Sequence, residues 1–195
     1  MKRAFDLLIS VVVLIIFSPL FIIVGIFISL ESKGGVFFSQ ERIGENLVPF
    51  KILKFRTMKL NSESEGKLTV GSKDNRITKV GYRLRKYKID ELPQFINVLK
   101  GEMSIVGPRP EVNKYVELYN QEQKEVLSIK PGITDYASLD YFEENKLLGE
   151  SSNPEETYIN EIMPKKLEIN LKYVKKHSFL TDLNIIWKTF LRILS

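Results

Sequence analysis

The sequence predicts an α+β fold, mostly helical with a small sheet, carried on an N-terminal helix that sits in a membrane. Three observations predict it. An uncharged run fills Leu7 to Leu30. Helical apolar spacing recurs in most of the chain after residue 90. β-type residues with partial alternation are confined to VFFSQ and PFKILKFRTM, ahead of residue 60.

The apolar run reads LLISVVVLIIFSPLFIIVGIFISL. As a straight helix it would be about 36 Å long, enough to cross a hydrocarbon core of about 30 Å. A cleaved signal peptide fits the basic start, but the run is too long and no A-x-A-like site follows it. A domain this small could not wrap so apolar a helix as a buried core element. Lys2 and Arg3 precede the run and favour a cytoplasmic N-terminus. Ser18-Pro19 interrupts it near the middle. Proline removes a backbone donor and clashes with the carbonyl four residues back, so the helix kinks or breaks there. A neighbouring serine can bond a freed carbonyl. Two geometries fit: a kinked spanning helix, or a helix that turns at Ser18-Pro19 and leaves by the face it entered. The second would place Asp6 and Lys33 at one interface.

Residues 33–60 read as a loop and then strands, with Gly34-Gly35 opening a turn. Residues 61–75 are polar and rich in Gly and Ser, which predicts a mobile surface loop. The stretch 76–88 is basic with interleaved apolar residues. A helix is expected from about 91 to 100, with Asp90 as N-cap, Pro93 in the first turn and Gly101 as C-cap. GPRP at 107–110 is a rigid turn, because prolines flank Arg109. Residues 111–128 fit an amphipathic helix with Val112, Val116, Tyr119 and Val126 on its apolar side. PGITDY turns into a short extended piece, and 154–176 is helical in pattern. In the tail, Leu180, Leu183, Ile186, Trp187, Phe190, Leu191 and Leu194 form an apolar stripe. Core packing is the default explanation; Trp187 with Lys188 and Arg192 also suits a helix in the membrane interface. The chain divides into a membrane segment, 1–32, and one further domain, 33–195, with no internal repeat; any chemistry would belong to the second, as a catalytic domain.

Absences narrow the chemistry. There is no cysteine, which excludes disulfides, thiolate nucleophiles and thiol-ligated metals. The one histidine, His177, lies in a basic polar run and reads as solvated or capping. Carboxylates, hydroxyls, basic groups or an oxygen-held metal must carry any reaction. The net charge of +5 suits an anionic membrane or a phosphorylated substrate. Nucleic acid binding is not expected of a domain tethered this tightly to a membrane. No P-loop, G-x-G-x-x-G or G-x-S-x-G motif is present.

Asp90-Glu91 is the most suggestive pair. An ionised carboxylate is a competent nucleophile toward phosphorus, and a carboxylate also holds Mg²⁺. Adjacent carboxylates can divide the labour, one attacking and one accepting a proton. The expected helix start would favour their ionised forms. Alone, the pair would read as a cap. Its neighbours argue for more: Arg83, Arg85, Lys86 and Lys88 precede it, Arg109 follows in its stiff turn, and Lys54 and Arg56 lie on an expected strand. Arginine forks and lysine point charges neutralise phosphates. A solvated basic face against anionic lipid is the plain alternative, and both can hold together.

These residues resemble one family, the bacterial sugar transferases that initiate glycoconjugate assembly, known as monotopic polyprenyl-phosphate phosphoglycosyl transferases. KRAFDLLIS, the SP inside the apolar run, FFSQERIG, FKILKFRTM, RITKVGYRLRKYKIDELPQFINVLKGEMSIVGPRP and KPGIT follow in the family's order. The stretch Arg76 to Pro110 is long and specific. The resemblance implies that Asp90 attacks the β-phosphate of a UDP-sugar, releases UMP and carries the phosphosugar. Glu91 would help activate the polyprenyl (undecaprenyl) phosphate that takes it. Mg²⁺ would sit beside Asp90. Lys54, Arg85 and Arg109 match family positions near the substrate phosphates, and Pro108 and Pro110 would shape the nucleotide side; Arg56 is a further candidate for phosphate binding on its charge and expected strand position. The implied membrane element is a re-entrant helix broken at Ser18 and Pro19, with the catalytic domain on the cytoplasmic face of the bacterial inner membrane. Interfacial amphipathic helices would assist.

The match weakens after KPGIT. Many relatives place an Asn-Gly-Arg where this chain has Asp140-Tyr141-Phe142, the arginine falling on Phe142. That departure points to a different sugar preference. The chain resembles the minimal form of the family, without extra N-terminal membrane helices. The sugar and the oligomeric state, a homo-oligomer included, stay open. A membrane phosphohydrolase with an aspartyl-phosphate and an anchored non-enzymatic scaffold are the competing readings.

Overall fold

The computed structural model describes residues 1–60, 62 and 74–194, so most of the predicted loop at 61–75 lies outside the described residues. The apolar run folds as two helices, α1 (Lys2–Ile16) and α2 (Ser18–Glu31), bent by 59°. The break falls at Phe17. Pro19 belongs to the first turn of α2, where its missing N–H costs nothing. Ser18 Oγ donates to the Ile15 carbonyl at 2.8 Å. No single described helix is long and apolar enough to cross a membrane; only the bent pair is.

Both ends of the pair are fastened to the rest of the chain. At the start, Arg3 Nη1 donates to the Val98 carbonyl at 2.7 Å and Lys2 pairs with Asp182 at 2.5 Å. Buried Asp6 accepts from Ser104 Oγ at 2.8 Å. At the far end, Glu31 accepts from the backbone N–H groups of Lys79 and Val80 at 2.7 and 2.9 Å, so it caps the helix that starts there, α3 (Lys79–Lys86). Arg56 donates to the carbonyls of Ser32 and Lys33 at 2.8 and 2.6 Å.

β1 (Phe37–Ile43) and β2 (Pro49–Phe55) form the expected hairpin, antiparallel, with Phe37 opposite Phe55 and Ile43 opposite Pro49. The basic stretch beyond it forms α3, with Thr78 as N-cap accepting from the Gly81 N–H at 2.9 Å. A β-carbon on Gly81 would lie 2.1 Å from the Thr57 carbonyl oxygen, so glycine is what lets α3 approach this closely.

The helix expected at 91–100 is shorter. It is α4 (Gln94–Lys100), ended by Gly101 at φ 87° as predicted. Asp90 is not its N-cap. A 3-10 turn, Ile89–Glu91, comes first, and Asp90 is buried in it. Asn97 fixes α4 against the hairpin: its Oδ1 accepts from Leu53 N at 2.9 Å and its Nδ2 donates to the Lys51 carbonyl at 2.8 Å. One side-chain amide thus does for the edge of β2 what a neighbouring strand would do.

β3 (Ser104–Val106) pairs in parallel with β4 (Gly132–Thr134), so the described residues hold two small sheets rather than one. The amphipathic helix expected at 111–128 is broken into α5 (Asn113–Val116) and a 3-10 stretch, Gln123–Ser128. Asn120 Oδ1 accepts from Gln123 N at 2.8 Å, and Gln123 Oε1 accepts from Asn120 N at 2.9 Å. That reciprocal pair starts a new turn and competes with continuation of the helix. The apolar side is buried all the same: Val112, Val116, Tyr119 and Val126 join Tyr158, Met163 and Leu167 in one core cluster.

α6 (Tyr136–Asp140), α7 (Glu144–Glu150) and α8 (Pro154–Thr157) lead through a π-helical turn, Tyr158–Ile162, into α9 (Met163–Lys176). Pro164 lacks the N–H that α-helical register would give to the Asn160 carbonyl, which favours the wider turn. His177 follows α9 as an exposed capping residue, its Nδ1 2.9 Å from the Val174 carbonyl. α10 (Phe179–Leu194) ends the described chain. Its buried side is Asp182 and Ile185, whereas Leu180, Leu183, Trp187, Phe190, Leu191 and Leu194 are exposed. Ile186 packs against the buried cluster of Ile105, Val106, Tyr173 and Ile185, so core packing explains that member of the stripe and not the other six.

Candidate active site

The hairpin, the 3-10 turn and the turn after β3 meet at an open cleft of about 450 Å³. Lys54 enters it from β2, Asp90 and Glu91 from the 3-10 turn, and Arg109 from GPRP; Arg56, Arg85 and Lys88 also line it. Lys88 precedes the turn with a left-handed backbone, φ 55°. That conformation costs a non-glycine residue about 1 kcal/mol or more, and such strain concentrates at functional sites.

Glu91 is fully engaged. Its Oε1 accepts from Lys54 Nζ at 2.8 Å and from Arg109 Nη2 at 2.6 Å, and its Oε2 accepts from Arg109 Nη1 at 3.3 Å. Burial alone would raise its pKa, but Arg109 and then Lys54 outweigh burial and hold the carboxyl well below the usual carboxylate range. Asp90 is the opposite. It is 5% exposed, and its Oδ1 has no hydrogen-bond partner among the described residues. Burial pushes its pKa up, Glu91 adds to the rise, and Lys54, Arg85 and Lys88 oppose it. Two neighbouring carboxyls are thus driven apart: one locked as an anion, the other more basic and uncommitted. The helix-start effect expected for both does not operate on Asp90, because its turn is not the start of α4.

The cations are placed by backbone. Arg109 N donates to Asp135 Oδ2 at 2.7 Å, Gly107 N to the Thr134 carbonyl at 3.1 Å, and Arg42 Nη1 to the Pro110 carbonyl at 3.2 Å. Pro108 and Pro110 stiffen this turn. They line not the cleft but a small cavity of about 30 Å³ next to it, which shares Arg109, Glu111, Tyr158 and Lys166 with the cleft. Arg85 Nε donates to Thr57 Oγ1 at 3.1 Å. Arg56 lines the cleft while its guanidinium holds the carbonyls after α2. Arg83 and Lys86 are exposed and are not brought to the cleft.

Sequence reading missed the far wall: Gln40, Arg42, Glu111, Tyr158 and Lys166. Tyr158 Oη donates to Glu111, and Lys166 pairs with Glu144 at 2.6 Å. No local pattern announces a set spread so widely, although FFSQERIG contains two of its members.

The donor set bears on Mg²⁺. Among the described residues, no three acidic or histidine side chains converge as a metal cage. Glu91 is occupied by cations, and Asp90 Oδ1 is open. This fits a Mg²⁺ held by one carboxylate plus water and phosphate oxygens, the arrangement common at phosphoryl-transfer sites.

A model of the family described as bacterial sugar transferase matches residues 1–195. The chain is 38% identical over 197 residues to the UDP-N-acetylgalactosamine-undecaprenyl-phosphate N-acetylgalactosaminephosphotransferase of Aeromonas hydrophila, covering all of this chain and 44% of that protein. It is 37% identical over 192 residues to the UDP-glucose:undecaprenyl-phosphate glucose-1-phosphate transferase of Escherichia coli, covering 97% of this chain and 39% of that one. It is 36% identical over 203 residues to the exopolysaccharide production protein ExoY of Sinorhizobium fredii, covering 96% of this chain and 83% of that one. The chain thus spans less than half the length of the first two.

Proposed function

The chain belongs to the bacterial sugar transferase family, and from that premise we propose that it moves a sugar 1-phosphate from a UDP-sugar to polyprenyl phosphate. The observation that carries the reading is the uncommitted, buried carboxylate of Asp90 beside a Glu91 saturated by Lys54 and Arg109. A more basic Asp90 suits attack on phosphorus; an ionised Glu91 keeps the two cations aimed at the diphosphate.

In the first step an Asp90 oxygen bonds to the β-phosphorus. The bond from that phosphorus to the bridging oxygen breaks, and UMP leaves with the electron pair. In the second, an oxygen of the acceptor phosphate attacks the same phosphorus and returns Asp90 as a carboxylate. The product is a polyprenyl-diphospho-sugar. Lys54, Arg85 and Arg109 stabilise the charge that develops. A Mg²⁺ held by Asp90 would offset the diphosphate charge. Glu91 can accept a proton only after its cations shift to substrate phosphates, which assigns its base role to the loaded site.

The membrane geometry follows the same reading. Each arm of the α1–α2 pair is about 21–22 Å long, so a 59° bend puts the apex about 11 Å from the line joining the ends. That depth is less than one leaflet of a hydrocarbon core of about 30 Å. Both ends bond to the same domain, through Asp6 and through Glu31 and Arg56. A re-entrant helix, with the catalytic domain on the cytoplasmic face of the bacterial inner membrane, accommodates both facts. Relatives of near-equal identity are named for N-acetylgalactosamine and for glucose, so identity does not choose the sugar.

The test is UMP release over a panel of UDP-sugars, with Mg²⁺ and with or without polyprenyl phosphate. Turnover beyond one equivalent should require the lipid phosphate. Sustained release into water without it would favour a phosphohydrolase.

A further inference from the structure

Beside the cleft, one aromatic ring lies between two cations. Phe142 follows α6; Lys88 Nζ lies 4.9 Å from its ring centroid, and the guanidinium carbon of Arg192 lies 5.0 Å from it. Lys88 lines the catalytic cleft, two residues before Asp90; Phe142 and Arg192 stand just outside that lining. Arg192 is in the last turn of α10. One turn earlier Lys188 Nζ lies 5.6 Å over the Tyr136 ring, and Asn184 Nδ2 donates to Tyr136 Oη at 3.0 Å. Spacing of four therefore sets Asn184, Lys188 and Arg192 along the domain side of α10. The next stripe over, Leu183, Trp187, Leu191 and Leu194, is exposed and apolar. The border between the cationic cleft and the apolar surface runs beside Arg192.

A water-soluble nucleotide sugar has no use for that border. A phosphate with an apolar chain attached needs both sides of it. Resting on the transfer reaction above, the geometry points to Lys88, Phe142 and Arg192 as the docking site for the phosphate headgroup of the lipid acceptor. A phosphate oxygen is a stronger partner for a cation than the Phe142 ring face that Lys88 and Arg192 both lie over. Phe142 then takes the first apolar unit of the chain. The Trp187–Leu191 surface continues that path into the membrane, and Lys88 marks the end nearest Asp90.

The experiment uses the full chain in lipid vesicles with a UDP-sugar it accepts. Two quantities are read: the single-equivalent UMP burst without acceptor, and the steady-state KM for polyprenyl phosphates of short and long chain. Arg192→Gln should leave the burst intact and raise the acceptor KM at least 5-fold; Arg192→Lys should keep it near wild type. Phe142→Leu should raise the KM more for the long chain than for the short one. Inorganic phosphate should compete far more weakly than either lipid. An unchanged acceptor KM in Arg192→Gln with the burst intact overturns the site. So does loss of burst and transfer together in both variants, which would make the contact a structural pin for α10. Competition by inorganic phosphate as strong as by the lipid would make this a general anion site and overturn the lipid assignment. A wild-type chain with no burst would instead sink the covalent transfer reading, and this site with it.

Discussion

Asp6 and Asp90 are both buried aspartates, 3% and 5% exposed, and they are treated in opposite ways. Asp6 lies where the bent apolar helix pair packs on the rest of the chain and accepts from Ser104 Oγ at 2.8 Å and Ile105 N at 3.4 Å. Asp135 is handled similarly, accepting from Arg109 N at 2.7 Å and from Ser138 N. Asp90, in the 3-10 turn at the cleft, keeps one oxygen without a partner among the described residues. A buried carboxylate that serves the fold is satisfied by the fold. One that serves a reaction is held ready at a cost in stability. The foundation around Asp6 and the turn around Asp90 should therefore answer mutation with opposite signs.

The largest effect should come from Asp90→Asn. Transfer falls by about 10³-fold or more, as for other covalent nucleophiles. Stability should rise. The folded state holds the Asp90 proton more tightly than the unfolded chain does. Ionising the group therefore costs stability as pH climbs from its ordinary value to the raised one, and the cost persists at pH 7. Asparagine removes it. Melting curves at pH 7 check the sign, and a lower melting temperature would break the comparison.

Glu91→Gln comes next, and it should destabilise. It leaves Lys54 and Arg109 without their anion, a loss of about 3–5 kcal/mol for a buried pair. The depressed pKa of Glu91 means that its stabilisation is full above the ordinary carboxylate range and fades as pH falls through the folded value. The gap between wild type and Glu91→Gln should accordingly close in acid, which denaturant titration at several pH values reads directly.

Asp6→Ala should cost about 1–3 kcal/mol for each donor left unpaired, with transfer per folded molecule unchanged. Asn97→Ala should cost a similar amount, because Leu53 N and the Lys51 carbonyl lose their partner, but it should also loosen Lys54 against Glu91. Activity normalised to folded protein separates the two. The smallest effect is on pH dependence. The acid limb of the UMP burst should lie above about 3.9, the ordinary aspartate value, since Asp90 must be ionised to attack.

Asp90-Glu91 and Arg85 stand out in sequence because charged residues crowd there, and the fold brings Lys54 and Arg109, 36 and 18 residues from the pair, into the same cleft. That the apolar run is broken was legible because proline acts on its own turn; the break itself falls at Phe17, with Ser18-Pro19 opening α2. What sequence did not reveal depends on contacts across the fold. The 3-10 turn that keeps Asp90 from capping α4 follows Lys88 in a left-handed conformation, and Asn97 anchors α4 on β2; no local sequence pattern registers either. The broken helix at 111–128 turned on a side-chain exchange between Asn120 and Gln123 that apolar spacing does not register. The far wall of the cleft joins Arg42 to Lys166 only in three dimensions.

The most direct test of Asp90 as the covalent centre is the intact mass of the protein after exposure to a UDP-sugar without lipid acceptor. A rise equal to one sugar phosphate is predicted. It should map to the peptide containing Asp90, disappear on addition of polyprenyl phosphate, and be absent in Asp90→Asn. Rapid, stoichiometric UMP release with no mass change, or an adduct that survives Asp90→Asn, would contradict it.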